Sequence, residues 1–262
     1  MPRNVSNSYK SPLRYPGGKS KAIKVILKYI PPNVSRVCSP FLGGGSIELK
    51  LASQGVEIYG YDCFTPLIEF WQELLYQPKQ LARRVIRCLP LSRTRFYHLQ
   101  ESFFSIKRKN KRATVFYVLN RASFSGTTLA GGMSLIHPRF TKAAIKSLGN
   151  FKTKNFHVKE MDFRQSIPLH ANDFLYLDPP YMINSKLYGV KGELQQAFDH
   201  NTLAQLLYKR SSWLLSYNDC SEVRRLYKNY RIIKVAWSYG MNGSKKSNEV
   251  LIMSNDMQIP KS

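Results

Sequence analysis

The sequence predicts an α/β fold, built on a largely parallel sheet and interrupted by one strongly basic block. Three observations predict it. Residues 35–62 read as strand, glycine-rich turn, helix and strand, the outline of a βαβ unit. DFLYLD, at 173–178, has the continuous apolar centre of a strand covered on both faces, and it runs into two prolines. Between Gln77 and Lys154, seventeen Lys or Arg stand against one acid, Glu101, so sixteen of the net +24 charges lie in that stretch.

The elements follow in order. Residues 1–12 read as a loose basic arm. From Lys19, KSKAIKVILKYI carries Ile23, Ile26, Leu27 and Ile30 at helical spacing, and Pro31-Pro32 stops it. SRVCSPF is a short strand, LGGGS a turn, SIELKLASQG a helix, and VEIYGYD a second strand ending at Asp62. The basic block then mixes helical stretches with RASFSGTTLAGGMS, a loop rich in Ser, Gly and Thr. Its composition suggests an insertion, residues 73–154, between two halves of one core, 1–72 and 155–262. Beyond it, NFHVKEMDF is a strand ending near Asp162, and DFLYLD is another. NTLAQLLYKR is helical, SSWLLSYND a strand, and SEVRRLYKNY helical. RIIKVAWSYG and SNEVLIMSN form a closing strand pair.

Composition narrows the function. Of the 262 residues, 43% are hydrophobic and 13% aromatic, enough for a real core. A charge of +24 suits polyanions, either nucleic acid or an anionic membrane surface. No apolar run approaches the roughly 18 residues of a membrane span, and the polar N-terminus lacks the apolar block of a signal peptide. Nucleic acid is therefore the expected partner. The four cysteines form no C-x-x-C pair and the histidines no metal spacing, so neither zinc nor a disulfide framework is expected. A reducing cytoplasm fits.

Three stretches carry chemistry. In SPFLGGGSIE, three glycines between strand and helix let backbone approach a ligand. Glu48 occupies the last glycine position of the dinucleotide fingerprint, which a ligand without a pyrophosphate would not need; alone the stretch reads equally as a flexible connector. Asp62, about twenty residues on, can accept hydrogen bonds from ribose hydroxyls. Together they indicate a nucleoside-containing cofactor. In LRYPGGKSK, a phosphate loop would need glycine at position 13, where Leu13 stands. That leaves a helix start, or Tyr15 and Lys19 flanking a small-molecule pocket.

The third stretch is LDPPY. Proline cannot continue a central ladder, so the strand ends at Asp178, facing the ligand crevice of an open α/β sheet. Asp178 and the rigid carbonyl of Pro179 are two acceptors without a donor. An exocyclic –NH₂ on a base offers two donors but is a poor nucleophile, its lone pair being delocalised into the ring. Acceptors gripping both hydrogens favour a pyramidal nitrogen and free that pair. Tyr181, after Pro180, offers a face on which a base can stack.

With RYPGGKSK, PFLGGGSIEL, the acid of GYD, MDF, NRASFSG and DPPY in this order, the chain resembles the DNA adenine methylase family, over most of its length. The resemblance implies a Rossmann-like seven-stranded methyltransferase core, mostly parallel with an antiparallel last strand, plus a largely helical inserted DNA-recognition domain. It implies S-adenosylmethionine as cofactor and transfer of its methyl to adenine N6 in double-stranded DNA. The implied cofactor site holds Tyr15, Lys19, Phe41, Gly43, Gly45, Asp62, Asp162 and Asp178. Asp178, Pro179, Pro180 and Tyr181 would hold the target adenine. DNA contacts are expected from Arg108 and Lys109 on phosphates, from Asn120 or Arg121 on base edges, and from Ser125. Relatives often carry Asn where this chain has Ser125, so site preference does not transfer. The closing NGSKKSNEVLIMSN resembles the family as well and is a candidate backbone contact.

Two alternatives share the chemistry: methylation of the cytosine amine in DNA, and of adenine in RNA. A third is a DNA-binding protein with a decayed methyltransferase fold. A zinc deaminase is excluded, because neither H-x-E nor P-C-x-x-C occurs. No metal or membrane partner is expected. The sequence does not say whether a paired restriction endonuclease accompanies the chain.

Overall fold

The computed structural model describes residues 10–134, 139–182, 198–235, 238–239, 245–246 and 248–258. Seven strands form the central sheet: β1 (Arg36–Ser39), β2 (Glu57–Asp62), β3 (Phe156–Glu160), β4 (Phe174–Leu177), β5 (Trp213–Asn218), β6 (Arg231–Val235) and β7 (Glu249–Met253). Their order is β3-β2-β1-β4-β5-β7-β6. β1 is parallel to β2 and β4, β2 to β3, and β4 to β5. Only β7 is reversed, antiparallel to β5 and to β6. The expected mostly parallel sheet with a reversed last strand is therefore present.

The chain steps outward from β1 through β2 to β3, returns to β4 beside β1, and continues the other way. The winding direction thus changes between β1 and β4. Ligands of open α/β sheets bind beyond the carboxyl ends of the strands at such a switch point. All four residues of β4 are buried, as are Val37 and Cys38 of β1, because both faces of these central strands are covered.

The expected helix from Lys19 is broken. A 3₁₀ turn, Lys19–Lys21, leads into α1 (Ile23–Ile26), and a second turn, Leu27–Tyr29, ends it before Pro31. No acid or capping side chain stabilises its start. Lys19 is a cation at the positive end of the helix dipole, and it is turned inward instead. α2 (Ser46–Ser53) follows β1, and α3 (Thr65–Tyr76) follows β2 with Pro66 in its first turn.

The basic stretch folds as α4 (Pro78–Ile86), α5 (Arg93–Glu101), α6 (Lys109–Ala122) and α7 (Lys142–Gly149). α6 is buried continuously from Ala113 to Asn120. It packs on α3, where the Phe70 and Tyr117 rings stack at 5.6 Å and 9°. At this seam Arg112 forks onto the buried Glu69, a charge-assisted pair that leaves neither group uncompensated. Apolar residues of α4, α6 and α7 belong to the same buried cluster as those of β1, β2, α2 and α3. Meanwhile Arg83 and Arg87 point to solvent.

The β6–β7 pair closes the sheet as expected, with Arg231 opposite Met253 and Val235 opposite Glu249. A short ribbon, 238–239 with 245–246, lies between them in sequence. Of NGSKKSNEVLIMSN, residues 242–244 and 247 lie outside the described residues, as do residues 1–9 of the basic arm. Among the described residues, no helix is long and apolar enough to cross a membrane, and no cluster of His, Cys, Asp or Glu could hold a metal ion.

Candidate active site

A cavity of about 250 Å³ opens at the carboxyl ends of β1 and β4. The glycine turn after β1, residues 41–48, forms one wall. Asp62–Phe64 after β2, Met161–Arg164 after β3, and Asp178 with Pro180 after β4 form others. The N-terminal segment Tyr15–Lys19 and the turn Gly126–Leu129 beyond α6 complete it. The glycine turn and the DPPY stretch, 133 residues apart, thus share one cavity.

Gly43 and Gly45 adopt left-handed backbone, with φ of +47° and +62°. A Cβ on Gly43 would lie 3.0 Å from the Tyr15 ring, and one on Gly45 would lie 2.9 Å from Trp71. The turn is pinned from two sides. Gly43 N–H donates to Asp62 Oδ2 at 3.1 Å, and Trp71 Nε1–H donates to the Gly43 carbonyl at 3.0 Å. Asp62 Oδ1 accepts the Phe64 N–H at 3.0 Å. Burial pushes the Asp62 carboxyl up to about 6, against the opposing pull of these backbone N–H groups.

At the cavity's aromatic end, the Phe41, Phe163 and Phe198 rings meet at 5.2 to 5.6 Å. Asp162 caps α8 (Phe163–Leu169) by accepting the Arg164 N–H, and it pairs with the Arg164 guanidinium at 3.1 Å.

The β4 end is charged and largely buried. Lys19 Nζ reaches Asp178 Oδ1 at 2.7 Å and Oδ2 at 2.8 Å, and donates to the Gly17 carbonyl at 2.9 Å. Lys19 is only 4% exposed, while the Asp178 side chain keeps 22% of its surface open. Burial raises the Asp178 pKa, Lys19 opposes that shift, and Glu249 adds to it. Lys19 also lies 4.9 Å over the Tyr181 ring. Pro179 is buried, and Pro180 and Tyr181 are half-buried. Sequence reasoning grouped Lys19 with the cofactor residues. Lys19 lines the same cavity as the glycine turn and contacts Asp178, itself among the residues implied for the cofactor.

Several expected DNA contacts are positioned differently from the sequence reading. Asn120 is fully buried. Its Oδ1 accepts the Arg14 N–H at 2.9 Å, and its Nδ2 donates to the Arg14 carbonyl at 2.7 Å and to Thr128 Oγ1 at 3.0 Å. Arg121 donates to the Arg139 carbonyl at 2.9 Å and to that of Pro12 at 3.4 Å. Asn120 ties the N-terminal segment to the turn after α6, which leaves it no edge to offer a base, while Arg121 ties that segment to Arg139, ahead of α7. Ser125 is exposed, at φ +52°, in the turn beside the cavity. Next to it, Phe124 is 69% exposed, an aromatic the sequence reading passed over. Arg108 and Lys109 are exposed at the far end of α6, roughly 20 Å from this turn at 1.5 Å per residue.

Residues 15–241 match the D12 class N6 adenine-specific DNA methyltransferase family. The chain belongs to that family. The sheet order and its reversed last strand are those of a Rossmann-like methyltransferase fold. Relatives of this D12-class chain include the modification methylase StsI of Streptococcus sanguinis, 27% identical over 68% of this chain and 30% of that protein. The type II methyltransferase M1.LlaDCHI of Lactococcus lactis subsp. cremoris is 22% identical over 90% of each chain. Type II methyltransferase M.FokI of Planomicrobium okeanokoites is 25% identical over 71% of this chain and 31% of its own length. The chain therefore spans under a third of two of these relatives and nearly all of the third.

Two further carboxyls stand near the site: Glu48, read in the sequence only as a break in the dinucleotide fingerprint, and Glu249, which was not read there at all. Glu48 is 2% exposed, lines the cavity and accepts the Ser39 hydroxyl at 2.6 Å; burial pushes it up to about 7. Glu249 is 3% exposed and heads a strand whose five residues are all buried. An acid opening EVLIM was the signal available for it.

Proposed function

We propose that this chain transfers the methyl group of S-adenosylmethionine to N6 of a flipped-out adenine in double-stranded DNA. The observation that carries the reading is the convergence of the glycine turn, Asp62 and Asp178 on one cavity at the switch point. The residues fit the cofactor. The glycine turn lines the cavity with bare backbone, held against Tyr15 and Trp71 too closely for a side chain, and Asp62 offers a carboxylate for ribose hydroxyls. The ring cluster of Phe41, Phe163 and Phe198, with Asp162 beside it, suits a base. When bound, the cofactor supplies a methyl already activated on a cationic sulfur.

An adenine in a duplex must leave the stack to reach the cavity, at a cost of about a few kcal/mol. Exposed Phe124 beside the cavity supports a wedge that fills the vacated space. Asp178 and the Pro179 carbonyl would accept the two amine hydrogens, and Tyr181 would stack on the base. The methyl would pass from sulfur to N6, the carbon–sulfur bond breaking as the carbon–nitrogen bond forms, and Asp178 would take the proton that N6 sheds. Lys19 must loosen its hold on Asp178 for this to happen. Family membership disfavours the cytosine and RNA alternatives. The relatives' names, modification methylase and type II methyltransferase, support a restriction endonuclease of the same site as a functional partner.

The test is incubation of the protein with unmethylated duplex DNA and methyl-labelled cofactor, followed by nucleoside analysis. Label in N6-methyladenine is expected. Label in cytosine, or transfer only to RNA, overturns the reading.

Two further outcomes are expected. Ribose hydroxyls donate to an ionised Asp62, so cofactor binding weakens as pH falls through about 6. Between pH 6 and 5 the Kd should rise by up to about tenfold, by one-proton linkage. Calorimetry on wild type and Asp62→Asn checks this, because the variant should show a flatter profile. For DNA, removing both Arg108 and Lys109 charges should lower the salt slope of binding by about 2, if the duplex runs along α6. An unchanged slope puts the duplex elsewhere.

A further inference from the structure

The buried carboxylate Glu249 has no part in the scheme above, yet it touches two of its members. Glu249 Oε2 accepts the Tyr181 hydroxyl, and Ser216 Oγ lies 2.9 Å from that same hydroxyl. Lys19 Nζ, 2.7 Å from Asp178, is also 3.8 Å from Glu249 Oε2. Directly opposite Glu249 in the β5–β7 ladder stands Asn218. Its amide accepts the Met182 N–H at 3.0 Å and donates to the Met182 carbonyl at 3.1 Å. Two paired strands thus grip the end of the DPPY stretch, by backbone at Met182 and by side chain at Tyr181. The arrangement also leaves two carboxylates, Asp178 and Glu249, sharing one buried ammonium.

We propose that Glu249 is a positioning residue for methyl transfer: it fixes the Tyr181 ring and takes the Lys19 ammonium when Asp178 turns to the target amine. This rests on the reading of Asp178 as the amine acceptor. An acceptor already bonded to an ammonium through both oxygens cannot also grip a neutral amine at full strength. Moving the ammonium into water is closed off by burial, since Lys19 is 4% exposed. A second buried carboxylate within 4 Å lets the charge change partners without leaving the protein. The same carboxylate removes the rotational freedom of the Tyr181 hydroxyl, and with it part of the freedom of the ring.

The variants Glu249→Gln, Glu249→Ala and Tyr181→Phe separate the two tasks. Glutamine keeps an acceptor for Tyr181 but cannot offset the Lys19 charge. Phenylalanine keeps the ring but loses the anchored hydroxyl. Single-turnover transfer on the methylated site should slow by about tenfold in Glu249→Gln and about 10²-fold in Glu249→Ala, the scale of a small misplacement of reacting groups. Cofactor Kd should stay within about threefold in both, a split that general loss of structure would not produce. Tyr181→Phe should slow transfer by about threefold to tenfold and combine non-additively with Glu249→Ala, because both act through one hydroxyl. A duplex with 2-aminopurine at the target position reports stacking directly. Its fluorescence should be brighter with Glu249→Ala than with wild type, as the ring beneath the flipped base is released. Rates within about twofold of wild type in Glu249→Gln and Tyr181→Phe overturn the proposal, as does full additivity. Should the Glu249 variants not fold, the Tyr181→Phe rate decides alone. The underlying reading fails separately, when wild type places no methyl on adenine or Asp178→Ala stays active.

Discussion

Asp178→Ala should slow single-turnover methyl transfer by about 10³-fold while leaving cofactor binding within a fewfold of wild type. The magnitude is that of losing one preorganised hydrogen-bond partner at the reacting atom, together with the group that receives its proton. The selectivity follows from the layout of the cavity. Asp178 ends β4, whereas the glycine turn and Asp62 end β1 and β2, and none of their hydrogen bonds runs to Asp178. Quenched-flow transfer assays beside calorimetric titration of the cofactor measure the two effects independently. A variant within about tenfold of wild type in transfer would remove Asp178 from the chemistry.

The second large effect is expected from Lys19→Met. The side chain is buried and contacts two carboxylates, so its loss leaves Asp178 in a largely buried site without that cation. Breaking a buried pair in this way costs roughly 3–5 kcal/mol of stability near neutral pH. The sign with pH is fixed. Burial raises the Asp178 pKa already, and Lys19 is the charge that opposes the rise. Without Lys19 the folded carboxyl holds its proton more tightly still than the unfolded one. The stability defect is therefore full above the folded pKa and shrinks as acid protonates the group. Transfer should show the matching shift, with the acidic limb of its pH profile moving to higher pH. Melting curves and rate profiles across pH 5 to 9 check both. A melting temperature equally depressed at every pH would attribute the loss to packing.

The centre of the sheet was legible in the sequence because its strands there are local apolar runs punctuated by Gly and Pro. RVCS, FLYL and EVLIM are each nearly or wholly buried, so no alternation had to be deciphered. The glycine turn and the DPPY stretch were legible for a related reason: each is a compact cluster at the end of such a run. What escaped were polar contacts between distant residues. Lys19 and Asp178 are 159 positions apart, and nothing local to either announces the other. Asn120 looked available because it sits beside Arg121 in a basic stretch. Yet α6 is covered all round from Ala113 to Asn120, so helical periodicity named no outward face. The helix from Lys19 was overextended for a similar reason: apolar spacing does not register an unfavourable charge at the first turn.

The turn that follows α6 bears on protein engineering. Gly126–Leu129 walls the cavity, and α6 is rooted in the apolar interior it shares with β1 and β2. The basic helices are therefore not a detachable cassette. Grafting them from a relative would remodel the cavity proposed for the methyl donor. Point changes at solvent-facing positions such as Ser125, proposed to face the DNA, would leave that shared interior untouched.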